Sequence, residues 1–270
     1  MRREGEGRTA LVTGASAGIG RAFAEVLAAR GYQLVLVAHR AERLAGAGAE
    51  LRQRYAIDTH AIVTDLADRD APARLVQELD RRGLQIDVLV NNAGYGVPGR
   101  FEQVPWFRHD ASLQVMVTAV CELSHRLLPG MIERRWGRIV NVASLAGHLP
   151  APAGHTLYAA TKAFLIRFSE SLHAEHAADG VYTSAVCPGF TYSEFHDVTG
   201  TRDKVSRMPV AMWMDAPTVA AHGYAAVMRG EPVYIIGRVN RTVAWLARVL
   251  PARVVRRVVN GAGGRFRKAD

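Results

Sequence analysis

The chain has 270 residues, of which 49% are apolar, so it can bury the core of one large α/β domain. Its two cysteines, Cys121 and Cys187, are too few for a disulfide framework, and we expect a reducing, cytoplasmic compartment. Charged residues at the start run directly into a strand-like stretch, and no run approaches about 18 uninterrupted apolar residues. We therefore predict neither a signal peptide nor a membrane-spanning segment.

The net charge of +9 is unevenly distributed along the chain. Residues 238–270 carry nine basic side chains and one acidic one, whereas the other 237 residues carry 25 basic and 24 acidic ones. Because the body is almost neutral, we do not expect it to bind nucleic acid. The basic C-terminal segment needs a separate explanation.

Short β-branched runs alternate with helical stretches rich in Ala, Leu and Arg. Near-continuous apolar strands are typical of a parallel sheet covered on both faces, and this alternation predicts right-handed crossovers. We therefore predict an α/β fold with a doubly wound parallel sheet, in one domain over 1–237 with a C-terminal helical extension over 238–270. Strands are predicted at 9–14, 33–38, 60–65, 87–92, 137–144, 181–189 and 232–237, and helices at about 18–30, 41–55, 70–82, 110–135, 156–178 and 216–229.

Glycines cluster where the first predicted strand meets the first predicted helix, in T-G-A-S-A-G-I-G (13–20). Gly14, Gly18 and Gly20 can adopt backbone angles and close approaches that a Cβ would block. The free N–H groups of the following helix favour phosphate. The G-x-x-x-G-x-G spacing differs from the common dinucleotide motif, and a glycine cluster alone is weak evidence. Its place between a strand and a helix makes it a stronger indication of a dinucleotide site.

The pentapeptide YAATK (158–162) places a phenol and an ammonium on one face of a predicted helix. Alone, the pair is more typical of a solvated helix face. A free tyrosine has a pKa of about 10, and a nearby ammonium lowers that pKa by stabilising the phenolate. With such a pKa, Tyr158 would exchange a proton with a carbonyl or alcohol oxygen.

Five features occur together, each at a strand end or on a helix: the glycine turn, N-N-A-G (91–94), Ser144, Y-x-x-x-K (158–162) and C-P-G-F-T (187–191). On these motifs the chain resembles the short-chain dehydrogenase/reductase family over roughly residues 8–237. The resemblance implies a Rossmann fold, a nicotinamide cofactor and oxidoreductase activity. It also implies assembly as a homodimer or homotetramer.

The resemblance implies a role for each matching residue. Tyr158 would be the acid/base, Lys162 would tune it and hold the nicotinamide ribose, and Ser144 would hydrogen-bond the substrate oxygen. The structural alternatives are a turn cap for Ser144 and a purely structural role for Asn91. No metal site is predicted. The residues implied to bind the cofactor are Gly14, Ser16, Gly18, Ile19, Gly20, His39, Arg40, Asp65, Leu66, Asn91, Ala93, Gly94, Tyr158, Lys162, Pro188, Gly189 and Thr191.

The end of the second strand distinguishes between two cofactors. NAD-specific relatives carry an acidic residue there that binds the ribose 2′-OH. This chain has Ala38, His39 and Arg40 instead, and a guanidinium suits a 2′-phosphate. We therefore expect NADP(H) to be preferred over NAD(H). The alternative is that Arg40 is an ordinary surface charge.

One position departs from the family pattern. Where the family has an asparagine that holds a water on the proton path, this chain has Met116, whose sulfur is only a weak acceptor. Ser112 lies one turn earlier on the same face and could hold a displaced water. A slower enzyme, a re-routed proton path, and a cofactor-binding sensor or scaffold with impaired turnover all stay open. The structural alternative is that Met116 packs in the core.

The loop after the sixth strand, V-S-R-M-P-V-A-M-W-M (205–214), is apolar and pliable. We interpret it as a lid for a small apolar carbonyl or alcohol substrate, with ordinary loop packing as the alternative. The predicted substrate contacts are Tyr95, Met208, Met212 and Trp213.

The segment 240–261 has the pattern of basic amphipathic helices, interrupted by Pro251. Such helices bind anionic membrane surfaces or pack on protein. Peripheral membrane contact and packing on a neighbouring subunit or over the pocket therefore both stay open. Residues 261–270 are predicted to be disordered.

Overall fold

The computed structural model describes residues 3–151, 153–154, 156–192 and 213–263. Within these residues, seven parallel strands form the main sheet in the order β3-β2-β1-β4-β5-β6-β9. This confirms the predicted doubly wound parallel sheet. The strands of this sheet are β1 (Thr9–Thr13), β2 (Gln33–Ala38), β3 (Thr59–Val63), β4 (Val88–Asn91), β5 (Gly137–Val142), β6 (Val181–Cys187) and β9 (Val233–Ile235).

Helices cover both faces of the sheet, as the apolar strands predict. A short second sheet pairs β7 (Phe190–Tyr192) with β8 (Trp213–Asp215). The helices are α1 (Gly18–Ala29), α2 (Ala41–Tyr55), α3 (Ala71–Arg81), α4 (Trp106–Leu113), α5 (Ala119–Glu133), α6 (Thr156–His176), α7 (Ala216–Met228), α8 (Arg238–Val249) and α9 (Ala252–Gly263).

Successive residues of β2 contribute to two separate cores. Leu34 and Leu36 pack in the core that α1, α2 and α7 cover. Val35 and Val37 pack in the core that α3 and α5 cover. Alternation of side chains across a strand therefore fills both faces, which is why the strand has no polar face.

The long helix predicted over about 110–135 differs from the structure in two ways. The observed helix begins at Trp106, and a π-helical turn over Gln114–Thr118 separates α4 from α5. A π turn adds one residue to a helical turn, and nothing in the apolar pattern marks it. By length and composition alone, the run Trp106–Glu133 is apolar enough to cross a membrane. Leu123 and Met131 pack against the sheet, and helices that cover a parallel sheet meet the same criterion.

Six of the seven strands of the main sheet end one or two residues earlier than predicted, among them β5 and β6. β5 ends at Val142 and not at 144, and β6 ends at Cys187 and not at 189. Pro188 has no N–H to donate to a strand ladder, so the chain leaves the sheet there. The segments after both strands are then free to form the candidate site.

The C-terminal segment forms two helices directly after β9. The structure continues α9 to Gly263, so the residues 261–263 predicted to be disordered are helical. Residues 264–270 lie outside the described residues.

Candidate active site

The candidate site, which we call the crevice, lies at the carboxyl ends of β1, β4, β5 and β6. The strand order reverses beside β1, because β2 and β4 pair with its two edges. In open parallel sheets, ligands bind at such a switch point. The glycine turn, the N-N-A-G loop and Ser144 all follow strands that end here.

The glycine turn has no space for a Cβ at Gly14 or Gly20. Gly14 and Gly18 have φ angles of +66° and +55°, in the left-handed region that favours glycine. A Cβ on Gly14 would lie 2.7 Å from Asn92 Nδ2, and one on Gly20 would collide with the Gly14 carbonyl oxygen. Ala17 occupies the N-cap of α1 and has no side-chain oxygen to occupy the first N–H groups. The turn therefore offers a backbone cradle that suits phosphate.

Two residues that the sequence analysis did not single out hold this cradle in place. The N–H groups of Asn92 and Ala93 donate to Thr13 Oγ1 over 2.9 and 3.0 Å. The Asn92 side-chain amide donates to the Thr13 carbonyl oxygen over 3.0 Å. The end of β1 and the loop after β4 are thus joined, and the polar residues within N-N-A-G were the available signal.

Asn91 points into the interior and not into the crevice. Its amide donates to Asn141 Oδ1 over 2.9 Å, and the Asn141 amide donates to Ser169 Oγ over 2.9 Å. Ser169 in turn donates to the Leu165 carbonyl oxygen over 2.7 Å. These side-chain contacts match the structural alternative for Asn91. The resulting polar chain links β4, β5 and α6 inside the core.

Tyr158 and Lys162 share one face of α6, as their spacing predicts. The Lys162 ammonium donates to the Val142 carbonyl oxygen over 2.7 Å, at the end of β5. Its nitrogen lies 5.7 Å from the centre of the Tyr158 ring. The cation is therefore close enough to influence the phenol electrostatically.

Burial weakens the preference of Lys162 for its charged form. The residue is only 6% exposed, and desolvation lowers the pKa of its ammonium from 10.5 to about 8. Cys187 lies at the end of β6, and burial raises the pKa of its thiol to about 12. Near neutral pH the pair is thus an ammonium and a neutral thiol, so the positive charge has no counter-charge in Cys187.

Ser144 performs the capping role that was its structural alternative. Its Oγ accepts the N–H of Ala146 over 3.1 Å at the start of a 3₁₀ turn, Leu145–His148. A serine hydroxyl has one O–H as well as two acceptor lone pairs, so the cap leaves that proton available to another acceptor. The N–H of Leu145 donates to the Pro188 carbonyl oxygen over 2.9 Å, which joins the segments after β5 and β6.

The end of β2 lies beside the glycine turn. The N–H of Ala15 donates to the Val37 carbonyl oxygen over 3.2 Å. His39 is exposed and Arg40 is half-buried at the N-cap of α2. Ser16 and Ile19, in the turn itself, are also half-buried. The predicted selectivity residues are thus adjacent to the predicted phosphate cradle.

The residues after β3 occupy two environments. Asp65 is exposed, and its Oδ1 accepts the N–H of Ala67 over 3.0 Å. Leu66 is buried in the core under α3. Asp65 therefore presents a carboxylate to solvent directly after β3.

Met116 matches the alternative of core packing. It is 1% exposed and lies in the π-helical turn. A Cβ placed on Gly94 would be 3.1 Å from its Cγ, so Met116 fills the space beneath the N-N-A-G loop. Tyr95 and Tyr158 pack against the same core.

The substrate side is described in part. Trp213 stacks on Tyr192 with ring centres 4.4 Å apart, and Tyr95 is half-buried, with its pKa raised first by burial and then by Asp65. Met208 and Met212 lie outside the described residues, so the predicted lid is represented by its last residues.

The first C-terminal helix contributes a residue that the sequence analysis missed. A Cβ on Gly189 would lie 2.6 Å from Asn240 Nδ2, so Asn240 packs directly against Gly189. Its amide donates to the Ile236 carbonyl oxygen over 2.7 Å. Thr191 is also buried and donates to the Gly189 carbonyl oxygen over 3.2 Å. A polar residue in an otherwise apolar inner face was the available signal.

Comparisons with known proteins agree with this geometry. A family model described as short chain dehydrogenase matches residues 8–203. The very-long-chain 3-oxoacyl-CoA reductase of Anas platyrhynchos is 38% identical over 200 residues, which cover 72% of this chain and 63% of that protein. The human enzyme of the same name is 35% identical over 75% of this chain and 65% of its own length. The chain thus spans less than two thirds of the length of these two relatives.

Solved structures extend the similarity over nearly the whole chain. A short-chain dehydrogenase from Sphingobium yanoikuyae in complex with NADPH is 30% identical, with a TM-score of 0.79 and 97% of both chains covered. An alcohol dehydrogenase from Comamonas testosteroni, described as specific for bulky-bulky ketones, is 29% identical. Its TM-score is 0.75, with 97% of this chain and 96% of that chain covered.

Proposed function

Because the chain belongs to the short-chain dehydrogenase family of nicotinamide-dependent oxidoreductases, which act on carbonyl and hydroxyl groups, we propose that it is an NADP(H)-dependent carbonyl reductase or alcohol dehydrogenase. Its substrates are apolar ketones and the corresponding secondary alcohols. The observation that carries this proposal is the buried ammonium of Lys162, held 5.7 Å from the ring centre of Tyr158.

The cradle fits a dinucleotide. The left-handed glycines of the turn and the uncapped start of α1 leave backbone N–H groups for the pyrophosphate. When bound, the nicotinamide supplies or accepts the hydride at its C4 carbon.

Tyr158 handles the proton of the reaction. In reduction its hydroxyl donates a proton to the substrate oxygen, and in oxidation the phenolate accepts one. The Lys162 ammonium favours the phenolate form, since an adjacent positive charge stabilises a negative one. Lys162 also holds the ribose of the cofactor, with its orientation set by the Val142 carbonyl oxygen.

Ser144 orients the substrate. Its oxygen already accepts the N–H of Ala146, so the hydroxyl direction is restricted and its proton can be donated to the substrate oxygen as charge develops. Such pre-oriented donors stabilise the transition state more than the ground state.

Arg40 and His39 select the phosphorylated cofactor. They follow β2 next to the glycine turn, where a carboxylate would repel a 2′-phosphate and a guanidinium binds it. Comparing the dissociation constants of NADPH and NADH, in the native protein and in Arg40→Ala, tests this. We expect native selectivity for NADPH of at least tenfold and its loss in the variant. Equal native affinities would contradict the preference.

The choice of an apolar substrate rests on aromatic side chains and on the relatives. Tyr95 and Trp213 are the described residues that we assign to its binding, and the names of the relatives point to long acyl chains and bulky ketones. NADPH consumption with bulky apolar ketones, long-chain 3-oxoacyl thioesters and small polar ketones is the deciding experiment. We expect the highest kcat/KM with the bulky apolar compounds. Absence of turnover with every carbonyl and alcohol, despite cofactor binding, would instead favour the sensor or scaffold that Met116 suggested.

A further inference from the structure

The exposed large apolar side chains are concentrated at the C-terminus. Seven of the thirteen in the described part of the chain lie within residues 239–258, a small fraction of its length. Trp245 is 60% exposed and Val258 is 66% exposed. We call the exposed apolar and basic residues of α8, α9 and their connection the tail surface: Val239, Trp245, Leu246, Val249, Leu250, Val254 and Val258, with Arg238, Arg241, Arg248, Arg253, Arg256 and Arg257.

The tail surface belongs to helices that the body holds in place. Asn240, Ala244 and Val255 are buried on their inner faces. Asn240 packs against Gly189, and α8 also contacts the 3₁₀ turn that follows Ser144. The outward face is therefore held in a fixed orientation, on the side of α8 opposite to its contacts with the crevice.

The chemistry of the tail surface is apolar and cationic together. Its six arginines are accompanied by no acidic residue between 238 and 263. Exposed apolar area of this density indicates a binding surface. A partner must therefore accept apolar side chains and offer negative charge at the same time.

We propose that the tail surface docks on anionic lipid bilayers. The Trp, Leu and Val side chains enter the boundary between headgroups and acyl chains, while the arginines bind the lipid phosphates. A second copy of the chain bound through the same surface would place arginines against arginines. A nucleic acid would satisfy the arginines and leave the apolar side chains in water. This inference goes beyond the proposed oxidoreductase activity and does not depend on it.

Co-sedimentation of the full chain with lipid vesicles tests the proposal. We expect binding to phosphatidylcholine vesicles that contain phosphatidylserine, weak binding to phosphatidylcholine alone, and weaker binding at high salt. Arg241→Gln combined with Arg248→Gln should lower the partition constant by about fivefold per arginine. Trp245→Ala should lower it by about tenfold, because one large side chain no longer leaves water.

Matched controls come from the body of the protein. Trp106 is 62% exposed on α4, and Arg81 and Arg82 are cations on and beside α3. Trp106→Ala and the double change Arg81→Gln with Arg82→Gln should leave vesicle binding unchanged. Circular dichroism of every variant establishes that it is folded.

Three results would overturn the proposal. The first is equal binding to neutral and anionic vesicles, or the same loss in the control variants as in the tail variants. The second is a fall in the molecular mass of the native assembly on Trp245→Ala, measured by sedimentation equilibrium, which would assign the surface to a second copy. The third is binding of duplex DNA that displaces the vesicles and is equally tight in Trp245→Ala. This result would assign the arginines to nucleic acid.

Discussion

The crevice and the tail surface differ in the exposure of their positive charges, which are buried in the first and exposed in the second. In the crevice the Lys162 ammonium is buried and donates to the Val142 carbonyl oxygen. On the tail surface six arginines face outward among exposed apolar side chains. The Lys162 ammonium has its hydrogen-bond acceptor within the chain, whereas the exposed arginines and apolar side chains of the tail surface suit a partner outside it. A buried charge therefore supports the proton chemistry proposed for the crevice, and exposed charges support the docking proposed for the tail surface.

The largest effect is expected at the phenol of the crevice. Tyr158→Phe removes only the hydroxyl, so kcat/KM for ketone reduction should fall by about 10²- to 10⁴-fold. The dissociation constant of NADPH should change little, because the ring and Lys162 remain. Steady-state kinetics and cofactor titration measure the two quantities.

Tyr192→Phe is the matched control, since this tyrosine is exposed and stacks on Trp213. It should change kcat/KM only slightly. If Tyr158→Phe retained more than a tenth of the native rate, the proton would have to come from another group.

The next effect concerns the buried cation itself. Because the pKa of Lys162 is about 8 in the folded protein and 10.5 as its ordinary value, the unfolded state binds more protons between these pH values. The free energy of unfolding should therefore rise with pH from about 8 to 10.5, by up to about 3 kcal/mol.

Lys162→Met removes this penalty. At pH 7 the variant should be more stable by about 1–3 kcal/mol and nearly inactive. The unpaired Val142 carbonyl oxygen offsets part of the gain. Urea denaturation at pH 7 and pH 10 measures both effects. A variant less stable than the native protein at pH 7 would contradict the assigned desolvation.

A smaller effect tests the contact between the two regions. Gly189→Ala places a Cβ 2.6 Å from Asn240 Nδ2, and this overpacking should cost about 1–3 kcal/mol of stability and weaken cofactor binding. Adding Asn240→Ala should recover part of that loss, and a double-mutant cycle of unfolding free energies measures the coupling.

Gly46→Ala is the matched glycine control. It lies inside α2, and a Cβ there meets nothing within 4 Å. This change should stabilise the protein by about 0.5–1 kcal/mol, since alanine loses less conformational entropy in a helix. Strictly additive effects of the changes at 189 and 240 would show that α8 is energetically independent of the crevice.

The smallest expected effect on rate is at Met116. Met116→Asn restores the family's amide on the proton path, and we expect kcat to rise a few-fold. Because the residue is 1% exposed, an incompletely bonded amide should also lower stability by about 1–3 kcal/mol. A kcat that is unchanged at every pH would discard a proton path through this position.

The strand pattern predicted most of the fold because local periodicity determines it. The order of strands and helices follows from apolar runs and from the 3.6-residue repeat, and the structure confirms it. The π-helical turn at Gln114–Thr118 and the early ends of β5 and β6 were not predicted. They depend on tertiary packing and on a proline that the apolar pattern does not register.

The site was predictable where residue spacing alone fixes geometry. Tyr158 and Lys162 share a helix face at any i, i+4 spacing, and their proximity follows. Asn240 was missed because its contact with Gly189 joins residues distant in sequence. The sequence left the partner of the tail surface open for a related reason, since the exposed and buried faces of its helices can be separated only after the helices are placed on the body.

The buried polar chain from Asn91 through Asn141 to Ser169 has a consequence for how the molecule assembles. If β5 paired with β4 one residue out of step, Asn141 would face the opposite side of the sheet, and the buried Asn91 amide would lose its 2.9 Å hydrogen bond to Asn141 Oδ1. Misaligned intermediates are thereby penalised before any cofactor arrives. Ser169 follows Lys162 by two helical turns. The hydrogen bond from Asn141 to Ser169 therefore also fixes the rotation of α6, which places the Lys162 ammonium at the end of β5.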